Sequence, residues 1–102
     1  MREYETALRL RPSVEVYNDI GVVYLKTNRP ADAVVALRKA LALRADIAVV
    51  HENLGRALGL AGDRAGAAAA YETALRLDPN RASARDALAV LRAGVPKASA
   101  VE

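Results

Sequence analysis

The sequence has no cysteine, no phenylalanine and no tryptophan, and His51 is its one histidine. Without cysteine there can be no disulfide, thiolate metal site or cysteine nucleophile. One lone histidine leaves the usual metal-ligand spacings unfilled, so no metal is expected. Serine is sparse: Ser13, Ser83 and Ser99 sit in no Gly-x-Ser-x-Gly elbow and out of sequence reach of His51. Gly55, Gly59, Gly62 and Gly66 are spaced for helix packing and capping, not as a phosphate loop. No catalytic residue and no cofactor follow, so an enzyme is not expected. No apolar run approaches the roughly 18–20 residues that span a membrane, and no signal peptide opens the chain. The expectation is therefore a soluble, cytoplasmic domain without membrane attachment. Charge is nearly balanced, with 15 basic residues against 12 acidic ones for a net +3, scattered along the chain. Arg76, Arg81, Arg85 and Arg92 have no aromatic interleaved for base stacking, so nucleic acid is not an expected partner.

What the chain does have is alanine. The hydrophobic fraction is 53% and alanine supplies much of it, which suits helices that approach closely more than a thick core. It also has a period. Ile20, Gly21, Ala33, Ala40, Leu41 and Leu43 are answered by Leu54, Gly55, Ala67, Ala74, Leu75 and Leu77, each 34 residues on. A fixed period of that length, filled by paired helices, marks a repeat architecture. Residues 4–10 also return as an identical run at 71–77, with Pro12 and Pro79 following two positions later in each case.

Helical spacing places the elements. Residues 2–11 read as a helix with Tyr4, Ala7 and Leu8 on one face, stopped by Pro12. A second helix over about 14–27 stripes Tyr17, Ile20, Gly21 and Tyr24, with Asn28 as a left-handed cap. Pro30 suits the first position of a helix over 30–44 that turns Ala33, Leu37, Ala40 and Leu41 inward. Asp46 is expected to cap a helix over 47–61 carrying His51, Leu54, Gly55 and Leu58. Gly62 and Asp63 end that helix and start the next, over 64–77. The helix over 81–93 carries Leu88, Ala89 and Leu91, and Gly94 with Pro96 ends it, leaving 94–102 as a flexible tail.

In register, these residues resemble the tetratricopeptide repeat family. The family sets an aromatic, a Leu-Gly pair and a second aromatic on its first helix. It sets an alanine, a large apolar residue, an alanine and a closing proline on and after its second. Residues 14–47 supply Tyr17, Ile20, Gly21, Tyr24, Ala33, Leu37 and Ala40. Residues 48–81 supply His51, Leu54, Gly55, Leu58, Ala67, Tyr71, Ala74 and Pro79. Residues 1–13 match only a second helix, and 82–93 only a first, capping helix. The resemblance implies an all-α fold over residues 1–93, a right-handed superhelical stack of antiparallel helix pairs. Gly21 should face Ala33, and Gly55 should face Ala67, so that the paired backbones come close. Three departures stand out: Ala45 replaces the usual proline, His51 replaces an aromatic as a packing residue, and the loop near Ser13 is one residue short.

Function also follows from the resemblance. The first helices of such stacks line a concave groove that takes an extended peptide or a partner helix. The matching positions here include Asn18, Val22, Lys26, Val49, Glu52, Asn53, Arg56 and Asp86. Asn18 and Asn53 can donate to and accept from a peptide backbone. Arg56 can hold a carboxylate, or pair with Glu52 one turn before it. The clamp with which some family members hold chaperone tails is a poor match, because Asn18 and Val22 stand where it wants Lys and Asn, and Ser83 and Ala87 also fail. A non-catalytic scaffold for protein or peptide partners is the expected function. Two alternatives remain: self-assembly into homo-oligomers through the open N-terminal half repeat, and an accessory module of a larger enzyme. Met1 falls within a repeat unit, and the first explanation of that open edge is a fragment of a longer chain, ahead of a partner covering the edge or self-assembly through it.

Overall fold

The structure is a computed structural model that describes residues 13–100, with side chains as far as residue 93. The helix expected at residues 2–11, with Tyr4 and Leu8, lies outside the described residues. Five helices follow one another among them: α1 (Val14–Lys26), α2 (Pro30–Leu43), α3 (Ala48–Leu60), α4 (Arg64–Leu77) and α5 (Ala82–Ala100). None of these is long and apolar enough to cross a membrane.

Each short turn reverses the chain, so α1 packs on α2 and α3 on α4 as hairpins. The hairpins stack through α2 against α3, with α1 also touching α3, and α5 closes on α4. This gives two layers, α1, α3 and α5 in one and α2 and α4 in the other. The fold is the all-α stack of antiparallel pairs that the sequence implies, and the molecule measures 53 × 27 × 18 Å.

Local chemistry explains where the helices stop. At the end of α1, the Arg29 amide donates to the Tyr24 carbonyl and the Asn28 amide to Leu25, at 2.8 and 3.2 Å. At the end of α3, Asp63 and Gly62 repeat the pattern to Leu58 and Gly59, at 2.8 and 3.1 Å. Both caps need a left-handed residue, and Asn28 (φ 60°) and Gly62 (φ 98°) supply it. Ser13 caps α1 by accepting from the Val16 amide at 3.1 Å, and Asp63 caps α4 by accepting from Gly66 at 2.8 Å.

Asp46 does not cap α3. Its carboxylate accepts from Arg44 Nε at 3.0 Å, an exposed pairing that also holds its carboxyl below the usual range. Ile47 takes the cap position with no side-chain bond. The turn gains its link from His51, whose Nε2–H donates to the Ala45 carbonyl at 2.7 Å. His51 is therefore a brace for the loop that lacks the proline, as well as a half-buried packing residue.

The small residues also meet differently from the expectation. A methyl group built on Gly21 would lie 2.6 Å from Leu37 Cγ, and one on Gly55 would lie 3.0 Å from the Tyr71 ring. Each glycine is thus a notch for the large side chain one turn beyond Ala33 or Ala67. Ala67 instead faces Gly59. Helical spacing gives the face but not the offset between two helices, and here the offset is one turn. Around these notches Ala33, Leu37, Ala40, Val50, Ala57, Ala67 and Ala74 are almost wholly buried. Only Leu37 and Val50 are large among the fully buried side chains, each contributing about 1.5–3 kcal/mol by burial.

Two corrections concern α5. The helix does not end at Ala93 but continues through Gly94 and Pro96 to Ala100. Proline removes one helical hydrogen bond and costs about 3 kcal/mol in a helix interior, yet the alanines around it favour the helix. Ala89 is exposed, whereas Ala84 and Leu88 are buried. Gly55, at the same place in α3, is buried because α4 lies over it. No helix among the described residues does this for α5.

Candidate functional site

The face made by α1, α3 and α5 carries the sequence-derived groove residues, and the structure sorts them into two groups. Asn18 and Asn53 turn into the contact between repeats, and Glu52 turns toward the turn that precedes α5. Asn53 Nδ2 donates to Asn18 Oδ1 at 3.0 Å, joining α3 to α1. Asn53 is 6% exposed and Glu52 4%, so neither lies open on the face. Glu52 does not pair with Arg56. Its Oε1 accepts from Arg81 Nε at 2.7 Å, from the turn that precedes α5. Burial pushes the Glu52 carboxyl up, but the Ser83 hydroxyl, the Arg81 guanidinium and the charge of Arg56 together outweigh it. The net position is below the usual glutamate range.

The second group is open. Lys26, Arg56 and Asp86 are exposed, Val22 is half-buried, and Val49 reaches solvent at the start of α3. Arg56 makes no salt bridge among the described residues. Beside it lies an open hollow of about 320 Å³, lined by Gly55, Arg56, Gly59 and Leu60 of α3, Tyr71 of α4, and Ala87, Val90 and Leu91 of α5. Leu60 and Val90 flank it with 58% and 69% of their surface exposed.

The hollow has a cause in the sequence. In the first repeat Leu25 fills the place that Gly59 holds in the second, 34 residues on. Losing that side chain opens space above the Tyr71 ring. The arrangement of α5 adds to it, because this helix leans on α4 and makes little contact with α3. Burial pushes the Tyr71 phenol above its ordinary value, with Arg56 opposing and Glu52 reinforcing the shift. The ring therefore stays neutral at the floor. The site offers an apolar recess with one guanidinium at its rim, which suits an aliphatic or aromatic side chain next to a carboxylate or carbonyl.

Two features are not legible as site residues in the sequence. There Tyr71 reads as packing and Arg81 as one of several scattered bases. The glycine at 59 is the available signal for the first. Nothing local signals the Arg81 pairing, since its partner is 29 residues away.

Residues 14–47 and 48–81 each match a family model described as tetratricopeptide repeat, together two thirds of the chain. Among curated proteins, the Hsp70-Hsp90 organizing protein of Triticum aestivum is 38% identical over 88 residues, covering 84% of this chain and 15% of that protein. A TPR repeat-containing protein of Pseudomonas aeruginosa is 36% identical over 75 residues, covering 74% of this chain. The chain spans 15% and 31% of the lengths of these two relatives. A crystal structure of MamA superposes with TM-score 0.88 at 26% identity, over 93% of this chain and 56% of that one. The first TPR of Spaghetti (RPAP3), solved bound to an HSP90 peptide, gives TM-score 0.88 over 91% of this chain and 75% of that one. At 20% identity it is a likeness of fold.

Proposed function

The chain belongs to the tetratricopeptide repeat family, and on that premise we propose that it is a non-catalytic interaction scaffold whose α1–α3–α5 face binds an extended peptide or a partner helix. The observation that carries this reading is the hollow over Tyr71, with Arg56 at its rim and free of salt bridges among the described residues. An apolar side chain of the partner enters the hollow, and Arg56 takes a neighbouring carboxylate or carbonyl. Val22, Lys26, Val49 and Asp86 extend the contact along the face. Asn18 and Asn53 hold the scaffold in shape through the bond from Asn53 Nδ2 to Asn18 Oδ1, and Asn53 is buried away from the open face. The description of one structural relative as bound to an HSP90 peptide supports a peptide partner in general. The residues at 18, 22, 83 and 87 argue against a chaperone tail held by paired carboxylates.

The test uses peptides selected from a random library on the wild-type chain, then measured on two variants by fluorescence anisotropy. Gly59→Leu fills the hollow with the side chain the first repeat carries there, and Arg56→Glu reverses the rim charge. Each is expected to weaken binding by tenfold or more, about 1.4 kcal/mol. Selected peptides that bound both variants as tightly as wild type would remove this face from consideration.

A further inference from the structure

The outer side of α5 is a first helix of a repeat with nothing laid over it among the described residues. Ala89 and Ala93 are exposed there, one turn apart. Thirty-four residues earlier, Gly55 and Gly59 occupy the same places on α3, and α4 covers them with Tyr71 and Ala67. The segment that carries Tyr71 is residues 71–77. Residues 4–10 are identical to it at all seven positions. Among the described residues, one receiving surface has no second helix over it, and residues 4–10 repeat the sequence that fills such a surface.

We propose that residues 4–10 of one copy dock on the outer face of α5 of another, with Tyr4 over Ala89, as Tyr71 lies over Gly55. The same chain cannot satisfy itself. The link from Leu10 to α1 spans at most about 14 Å when extended. From α1 the face of α5 lies two helix spacings away, each about 8–10 Å, and on the far side of the last helix. The fit is close without being identical. A methyl group at the Gly55 position lies 3.0 Å from the ring, so Ala89 requires the incoming Tyr4 to shift by a few tenths of an ångström. A contact of two helical turns, about 10 Å long, is small beside the roughly 1,600 Å² of a stable interface, so the association is weak and reversible. It is also head-to-tail: each docked copy leaves its own α5 and the other's segment unfilled, so the assembly grows past the dimer.

Sedimentation velocity on the full chain tests this over a hundredfold range of concentration. Wild type is expected to move from one chain mass, 10.8 kDa, to multiples of it as concentration rises. Tyr4→Asp removes the donor and Ala89→Glu blocks the acceptor, so each variant alone stays monomeric. An equimolar mixture of the two still holds one intact donor and one intact acceptor, and stops at the dimer. Circular dichroism checks that both variants keep wild-type helix content. For Ala89→Glu, on an exposed helical position, no loss is expected. A synthetic peptide of residues 1–13, added to wild type, caps the growth and does not bind Ala89→Glu. A wild-type monomer at every concentration, growth that persists in either variant, or a mixture that fails to dimerise would each overturn the proposal. Growth persisting in Ala89→Glu would point to docking in the groove of α1, α3 and α5.

Discussion

Removing the Arg81 side chain leaves Glu52, 4% exposed, without the guanidinium that offsets its burial. The Ser83 hydroxyl and the charge of Arg56 stay beside it, so Arg81→Ala should destabilise the fold by about 1–3 kcal/mol, the scale of one lost buried hydrogen-bond partner, as read by urea unfolding. The same pair sets an acid dependence. The Glu52 carboxyl lies below its unfolded value, so its contribution is complete above the ordinary glutamate range and is lost as pH falls through the folded value. Melting temperature should fall more steeply below about pH 4 for wild type than for Glu52→Gln. At Gly55 the limit is space. Gly55→Leu drives a side chain into the Tyr71 ring and should cost about 1–3 kcal/mol in thermal unfolding, while Gly59→Leu, with only Ala67 nearby, should cost less than about 1 kcal/mol. An equal loss in the two variants would contradict the notch assignment. The identity of these glycines as contact points is legible from the repeat alone. Which atom each one meets is not, because periodicity fixes a helix face and leaves the sliding of one helix along another undetermined. The burial of Glu52 and Asn53 is hidden for a related reason: both read as solvated polar residues until partners 29 and 35 residues away are known.

Among the elements, four helix ends follow their local signals. Asn28 before Pro30, and Gly62 before Asp63, specify their caps within a few residues, so sequence suffices. Asp46 carries the same kind of signal and fails, since Arg44 two residues away competes for its carboxylate. The contrast is measurable. Asp63→Ala removes a bond to the Gly66 amide and should cost about 1 kcal/mol. Asp46→Ala removes an exposed pairing and should stay within about 0.5 kcal/mol of wild type. If Asp46→Ala proved as costly as Asp63→Ala, Asp46 would be restored as the cap of α3. The end of α5 departs from its signals for the opposite reason. Gly94 and Pro96 are strong stop signals in general, but the alanine-rich chain carries the helix past both to Ala100.

At the scale of the molecule, each hairpin is held only by its neighbours, and the junctions differ in strength. The inner ones bury α2 against α3 and tie α1 to α3 through Asn18 and Asn53. The last relies on α4, the Glu52–Arg81 pair and an exposed Arg92–Glu72 bridge. Native-state hydrogen exchange should accordingly show α5 amides exchanging at least tenfold faster than the buried amides of α3. Uniform protection across the five helices would mean that the stack opens only as a whole. The two junctions differ in another way that bears on how such a chain lengthens. Asn18 depends on Asn53, which belongs to the following repeat, so residues 14–47 must be succeeded by a unit carrying an amide at that place. Glu52 and Arg81 both lie within residues 48–81. A tandem duplication of that stretch would bring its own ion pair with every copy, making the second repeat the one from which a longer array can be propagated.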